Sequence, residues 1–340
     1  MVRLRGELAA IFSTAPVRRN WDCMSTKERK ACSSAVKYMY TSPSKSDPTL
    51  VPGARTRCDD FVGQHINQTR SIHGTGNFLS WHRYFMHSFK NALREECGYT
   101  GYQPYWNWFS YQDDLSKSPV FDGSATSIGG DGYYVKHNRS TGGGGRIYLP
   151  SGNGGGCIKS GPFQNVQLNL GPISPTMAGA NKSASALAWN PRCAKRNLTN
   201  FASKTWFTFE NLYNITLGAA SKDISSFQNE LQGRFTDGFL GLHAPGHFAI
   251  GGDCGDLYSS VNDPVFFMHH AMLDRAWWIW QALHLDQAKS VEGSRSMLEP
   301  NGPRTTLDDA IETNWLNTPD VKISDVMSTL SGEPLCYIYL

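Results

Sequence analysis

Ten histidines are spread over the 340 residues, and six of them fall into two sets of three. His65, His73 and His82 lie together in an early stretch; His243, His247 and His270 lie together in a later one. Imidazole is a ligand for copper, zinc, iron and nickel. His243 and His247, four residues apart on a helix, share one face about a turn apart and make a ready chelate. A third ring from an adjacent antiparallel helix, such as His270, completes a trigonal set. His65 and His82 fall on successive expected helices, so the first set can converge in the same way. Ligation by histidine without a carboxylate points to copper or zinc, and geometry alone does not choose between them. A single His-x3-His pair more often packs than binds metal; two triplets in separate helical regions shift the balance towards a metal site. His269 beside His270 is ambiguous, because neighbours on a helix point about 100° apart and only one can face a given metal. His87 (on another face than His82), His137 (in a Gly-rich stretch) and His284 (late on a polar stretch) are read as non-ligands.

These rings need helices to hold them. Ser25 with Glu28 forms a capping-box pattern for a helix within Asp22 to Tyr40. Asp59 and Asp60 suit the first turn of a helix running to Arg70. Asn77 to Cys97 is rich in helix formers and is stopped by Gly98. Further helices are expected around Ser221 to Gln232 and at His243 to His247. Asp263-Pro264 places a cap and a first-turn proline ahead of a helix running to about His284. Between Gly123 and Gly161 the chain is crowded with Gly, Ser and Asn, including Gly142 to Gly145 and Gly154 to Gly156. That composition predicts a long surface loop rather than helix or sheet. The expectation is one domain over residues 1–340, mainly α, with little β structure.

Hydrophobic residues make up 40% of the chain, enough for a large buried core. Net charge is +3 with no basic stripe, which argues against nucleic acid as a partner. No apolar run reaches the roughly 18 residues that span a bilayer, so no membrane association is expected. The stretch from Val2 to Ser13 is too short and broken for an evident signal peptide. Eight cysteines without a CxxC pair nevertheless suit disulfides. Asn67, Asn138, Asn181, Asn197 and Asn214 begin glycosylation sequons. Together these features suggest a secreted glycoprotein.

Several segments resemble the tyrosinase and catechol oxidase family of type-3 copper proteins, especially its short secreted fungal members. His73-Gly-Thr-Gly-Asn-Phe-Leu-Ser-Trp-His82-Arg83 is similar to the family's first copper motif. Asn262-Asp-Pro-Val-Phe-Phe-Met-His-His-Ala-Met-Leu-Asp274-Arg275 is similar to its second. His243-Ala-Pro-Gly-His247 matches the paired-ligand helix, Val17 to Trp21 its opening, and Tyr337-Ile-Tyr339 its closing tyrosine motif. The likeness runs from near residue 17 to the C-terminus. It implies an antiparallel four-helix bundle holding two copper ions. Copper A would take His65, His73 and His82; copper B would take His243, His247 and the second of the paired histidines, His270. Asp274 and Phe266 would stand behind the ligands, Asp274 either orienting one or bracing the bundle.

The resemblance further implies oxidation of small phenols, o-diphenols to o-quinones, with dioxygen as co-substrate. The position after the first copper B histidine, where good monophenol hydroxylases of the family commonly carry Asn, is Ala244, which has no hydrogen-bonding side chain. Gln232 is the best match for the Glu that usually holds the same water. Both departures favour diphenol oxidation over efficient hydroxylation. Phe248 adds an apolar wall, and Leu257, thirteen residues before His270, leaves more room above copper A than Phe would. Ser71 rules out the thioether that some members form two residues before a ligand. The chain ends after the tyrosine motif, so no C-terminal shielding domain is expected. A haemocyanin-like dioxygen carrier could use the same six histidines but buries them behind an extra domain. A zinc hydrolase would want a carboxylate base between His243 and His247, where Ala, Pro and Gly stand.

Overall fold

A computed structural model describes residues 15–340; the segment weighed as a signal peptide lies outside the described residues. The chain is mostly helical. Helix α1 (Thr26–Met39) starts with the full Ser25–Glu28 capping box. Helix α2 (Arg57–Ile72) starts two residues earlier than its acidic turn suggested, because Thr56 and Asp59 form a second capping box. Helix α3 (Phe78–Glu96) follows after a tight turn in which Gly74 takes a positive φ of 62°. Two short helices, α4 (Asn200–Trp206) and α5 (Phe209–Thr216), precede α6 (Ile224–Gln232). Helix α7 (Ala244–Ile250) is only seven residues long, and α8 (Val265–Leu283) begins where Asp263 Oδ1 accepts the Val265 N–H at 2.9 Å.

Helices α2, α3 and α8 pack as the long members of the bundle, and stubby α7 lies against α8. Gly246 makes that approach possible: a Cβ there would sit 2.1 Å from the His269 ring. Rings of Phe61, Phe85, Phe89 and Phe267 fill the seam of α2, α3 and α8, with Phe89 and Phe267 stacked 3.5 Å apart.

The two ends of the described chain meet. Strand β1 (Val17–Arg18) pairs in parallel with the C-terminal Ile338–Tyr339. Beneath this pair Asp274 collects four side chains. Its Oδ1 accepts from Arg83 Nε at 2.6 Å; its Oδ2 accepts from Arg18 at 3.1 Å, Tyr337 at 2.7 Å and Tyr339 at 2.6 Å. Burial alone would raise the Asp274 pKa, but Arg83, Arg18 and the two tyrosines more than offset this and hold the carboxyl below its ordinary value. Its partners among the described residues are the ends of the chain and α3, with no imidazole among them.

The Gly-rich middle departs from expectation. Instead of a loop it forms strands β2 (Gly132–Tyr134), β3 (Arg139–Gly142), β4 (Ile147–Pro150) and β5 (Gly155–Ile158), paired β2 with β5 and β3 with β4. The glycines are there for close approach, since a Cβ on Gly132 would lie 2.3 Å from the Arg196 and Gly156 carbonyl oxygens. Arg196, fully buried, donates to the carbonyls of Ile128, Gly129 and Gly130 and forms a two-point ion pair with Asp263. That one guanidinium ties the segment to the start of α8, supplying order that composition could not reveal. The expectation of disulfides is met by one bond among the eight cysteines. Cys157 and Cys193 are joined, whereas Cys23, Cys32, Cys58, Cys97, Cys254 and Cys336 are free thiols, half of them buried in the packed interior.

Candidate metal centre

Each triplet converges. The ring centres of His65, His73 and His82 lie 5.1 to 5.9 Å apart, and those of His243, His247 and His270 lie 4.8 to 5.4 Å apart. The two sets abut: His82 stacks on His270 at 4.4 Å and His73 faces His243 at 5.8 Å. His65 comes from the middle of α2, His82 from the first turns of α3 and His270 from α8. His73 and His243 are not within helices but at their ends, as the C-cap of α2 and the N-cap of α7.

Hydrogen bonding sets the tautomers. A carbonyl oxygen can only accept, so a ring nitrogen beside it must carry the proton. His73 Nδ1 donates to Thr69 O at 2.9 Å and His82 Nδ1 to Phe78 O at 2.8 Å, each four residues back along the chain. His65 Nδ1 donates to Tyr258 O at 2.7 Å and His247 Nδ1 to Cys254 O at 3.1 Å. In all four rings the Nε2 lone pair is therefore left over. Buried Nε2 of His65 and His82, and both nitrogens of His270, have no protein partner. His247 Nε2 meets only the Nε2 of His243, at 3.0 Å. Orphaned buried nitrogens are costly unless something binds them. Burial, reinforced for five of the six rings by their neighbours, holds the imidazoles below their ordinary pKa, to about 4 for His73 and about 3 for His247. Neutral lone pairs are what metal binding requires. The donor set fits two adjacent metal ions with imidazole ligands.

The same reasoning separates His269 from His270. Trp108 Nε1–H can only donate, and it points at His269 Nδ1 at 3.1 Å; His269 Nε2 must then donate to His243 O at 2.9 Å. Both His269 nitrogens are engaged, and the ring is a strut holding the start of α7. His269 and His270 both belong to the second histidine cluster, and of the two it is His270 that has both nitrogens bare. His87 accepts from Asn91, His137 is held by Val135 O and Asn197, and His284 by Trp280 O. None of these three belongs to a histidine cluster among the described residues.

Residues 55–283 match the family description "Common central domain of tyrosinase". The chain belongs to the tyrosinase family. It is 36% identical over 337 residues to tyrosinase P of Aspergillus terreus, covering 95% of this chain and 91% of that protein. It is 35% identical to the N-acetyl-6-hydroxytryptophan oxidase of Emericella nidulans, covering 96% and 92%. A polyphenol oxidase variant from Thermothelomyces thermophila has a similar structure, with a TM-score of 0.91 at 37% identity over 99% of this chain and 94% of that one. A Burkholderia thailandensis tyrosinase, at 13% identity and a TM-score of 0.53, shares the fold. Tyrosinase-family proteins bind a dicopper centre and are copper oxidoreductases, and this chain is one of them.

Above the histidines opens a cavity of about 790 Å³. His73, His243 and His247 reach its floor, while His65, His82 and His270 lie beneath. Phe266, fully buried, fills the space between the triplets, 4.2 Å from the His270 ring and 5.3 Å from His65. Ala244, Phe248 and Leu257 line the cavity; Leu257 is 39% exposed and stands at the opening. Gln232 also lines it, but its Oε1 is taken by the Gly74 N–H at 2.8 Å. Gln228, one turn earlier on α6, escaped the sequence reading. It lines the cavity but is buried: its amide donates to Glu292 O, and its Oε1 has no protein partner. Helical spacing from Gln232 was the signal that could have found it. Gly142 to Gly145 form the roof, and Gly142 lies so close to Phe248 that a Cβ would meet the ring at 2.9 Å.

Proposed function

We propose that this protein oxidises o-diphenols to o-quinones with dioxygen as co-substrate, and hydroxylates monophenols weakly. His65, His73 and His82 would hold copper A; His243, His247 and His270 would hold copper B. Copper ions bound there supply two adjacent one-electron centres and the place where dioxygen binds. Each diphenol gives up two electrons and two protons, so two diphenols reduce one dioxygen to two waters. The observation carrying this reading is the set of free, neutral imidazole nitrogens at the base of a cavity whose nearest walls are apolar.

The chain's own residues orient the ring and keep water out. Phe248 and Leu257 flank an uncharged ring, and Phe266 seals the floor from below. Ala244 offers no side-chain atom to hold a water next to copper B, and the Oε1 of Gln232 is already engaged by the Gly74 N–H. The carboxamide of Gln228 is a poor base. These features support diphenol oxidation over hydroxylation. The name of the Emericella nidulans relative supports an aromatic hydroxyl as the group acted on.

The test is direct. Copper-loaded protein supplied with 4-methylcatechol forms coloured quinone, and tyramine reacts slowly after a lag. Reversible dioxygen binding without quinone would favour a carrier instead, and brisk tyramine turnover would overturn the reading of Ala244. We also read the chain as exported. The Cys157–Cys193 bond and exposed Asn67, Asn138 and Asn181 support this; Asn197 is buried and its sequon is not expected to be used.

A further inference from the structure

The charge that a ligand in the cavity could reach is confined to one stretch of rim. Apart from the histidines, the charged residues lining it are Asp256, Glu292 and Arg304. Asp256 is fully buried, and its oxygens accept backbone N–H groups from Ile173, Ser174, Tyr258 and Ser259. It has nothing left for a ligand. Glu292 and Arg304 pair with each other at the mouth, about half exposed.

Their position is fixed by backbone. Ser294 and Arg304 form an antiparallel bridge, and Thr305 N–H donates to Gly293 O at 2.9 Å. Gly76 N–H donates to Ser294 O at 3.0 Å, and Met297 N–H to Arg70 O at 2.9 Å. Gly76 is three residues from His73, so the rim is anchored to the turn that carries a copper A ligand. A guanidinium has five N–H donors, and the hydrogen bond of Arg304 among the described residues is the one to Glu292. Donors remain in a planar fork, the arrangement that matches a carboxylate in two-point contact.

Resting on the diphenol reading above, we propose that Arg304 determines substrate specificity by receiving a carboxylate carried on a side arm of the phenolic ring. The ring lies over the histidines, the arm rises past Met297 and Gln228, and its carboxylate meets Arg304 at the rim. Glu292 orients the guanidinium and, being anionic, weakens the attraction. The preferred class is an o-diphenol with a short acidic chain rather than one with an ammonium group, for which only a single oxygen of Glu292 remains.

The test compares KM for 3-(3,4-dihydroxyphenyl)propionate, 4-methylcatechol and dopamine on the copper-loaded full chain. Wild type prefers the acid to dopamine. Arg304→Gln raises the KM of the acid about 5-fold relative to 4-methylcatechol, and Glu292→Gln lowers it, with the first effect shrinking in high salt. Opposite signs from the two variants are something a shared structural role would not produce. Parallel changes for all three substrates, or a preference for dopamine, overturn the proposal. If 4-methylcatechol itself is not oxidised, the functional reading has failed. Calorimetric binding of 3-phenylpropionate to wild type and Arg304→Gln then still decides this one: equal affinities overturn it, and weaker binding by the variant supports it.

Discussion

The floor and the roof of the cavity are built on different principles. The histidine rings sit on helices or at their ends, and four of the six are oriented by carbonyls: Thr69 and Phe78 lie four residues before the histidines they hold, so that for two of those four the geometry is local. The roof is a run of glycines whose place depends on distant partners, Phe248 beside Gly142 and Phe235 beside Gly143. Helical spacing can set the chemistry of a site while long-range packing sets its shape. A floor built this way tolerates few changes, whereas a roof can vary substrate size without disturbing the metal.

The strongest break of that contrast is on the floor. His270→Ala is expected to lower copper from two ions to one per chain and bring quinone formation to background, while His269→Gln keeps two. Metal analysis after gel filtration checks this, and two coppers in the His270 variant would refute the assignment. Next comes the brace beneath the floor. Asp274→Asn leaves Arg18 and Arg83 buried without their shared counter-ion, and should cost about 3–5 kcal/mol of stability, read by denaturant unfolding.

A smaller effect belongs to the roof. Gly142 has an ordinary extended φ of −117°, so Gly142→Ala strains no backbone, yet its methyl would meet the Phe248 ring. The expected cost is about 1–3 kcal/mol, with KM rising more for 4-tert-butylcatechol than for 4-methylcatechol and copper content unchanged. Loss of copper in this variant would show that roof and floor are not separable.

The smallest effect sharpens the comparison from outside the site. Burial holds His87 near a pKa of about 3 when folded, against an ordinary value of 6.5. Below pH 6.5 the unfolded ring takes a proton that the folded one refuses. The associated stability is complete above 6.5 and is lost as pH falls, by up to about 1.4 kcal/mol per pH unit. His87→Gln should flatten the acid side of the stability curve by about that slope; an unaltered slope would mean that His87 is not held neutral.

Much of the floor was legible in the sequence. Residue types and spacing pick out the two histidine triplets, and caps such as Ser25–Glu28 and Asp263 mark helix starts to within a few residues, because helical period and capping are local properties. The sequence could not choose between His269 and His270. A ring's free nitrogen depends on which group meets the other one, and Trp108 lies 161 residues away. Nor could composition foresee that glycines from Gly132 to Gly156 would order into strands, since the Arg196 side chain holds the carbonyls just before them and its backbone pairs with Gly155 and Gly156. The pairing of cysteines, the commitment of Gln232 to Gly74, and the placing of Arg304 at the mouth were decided the same way. Local periodicity determined which atoms could bind metal; tertiary packing decided which of them remained free, because a lone pair is available only when no neighbour has claimed it.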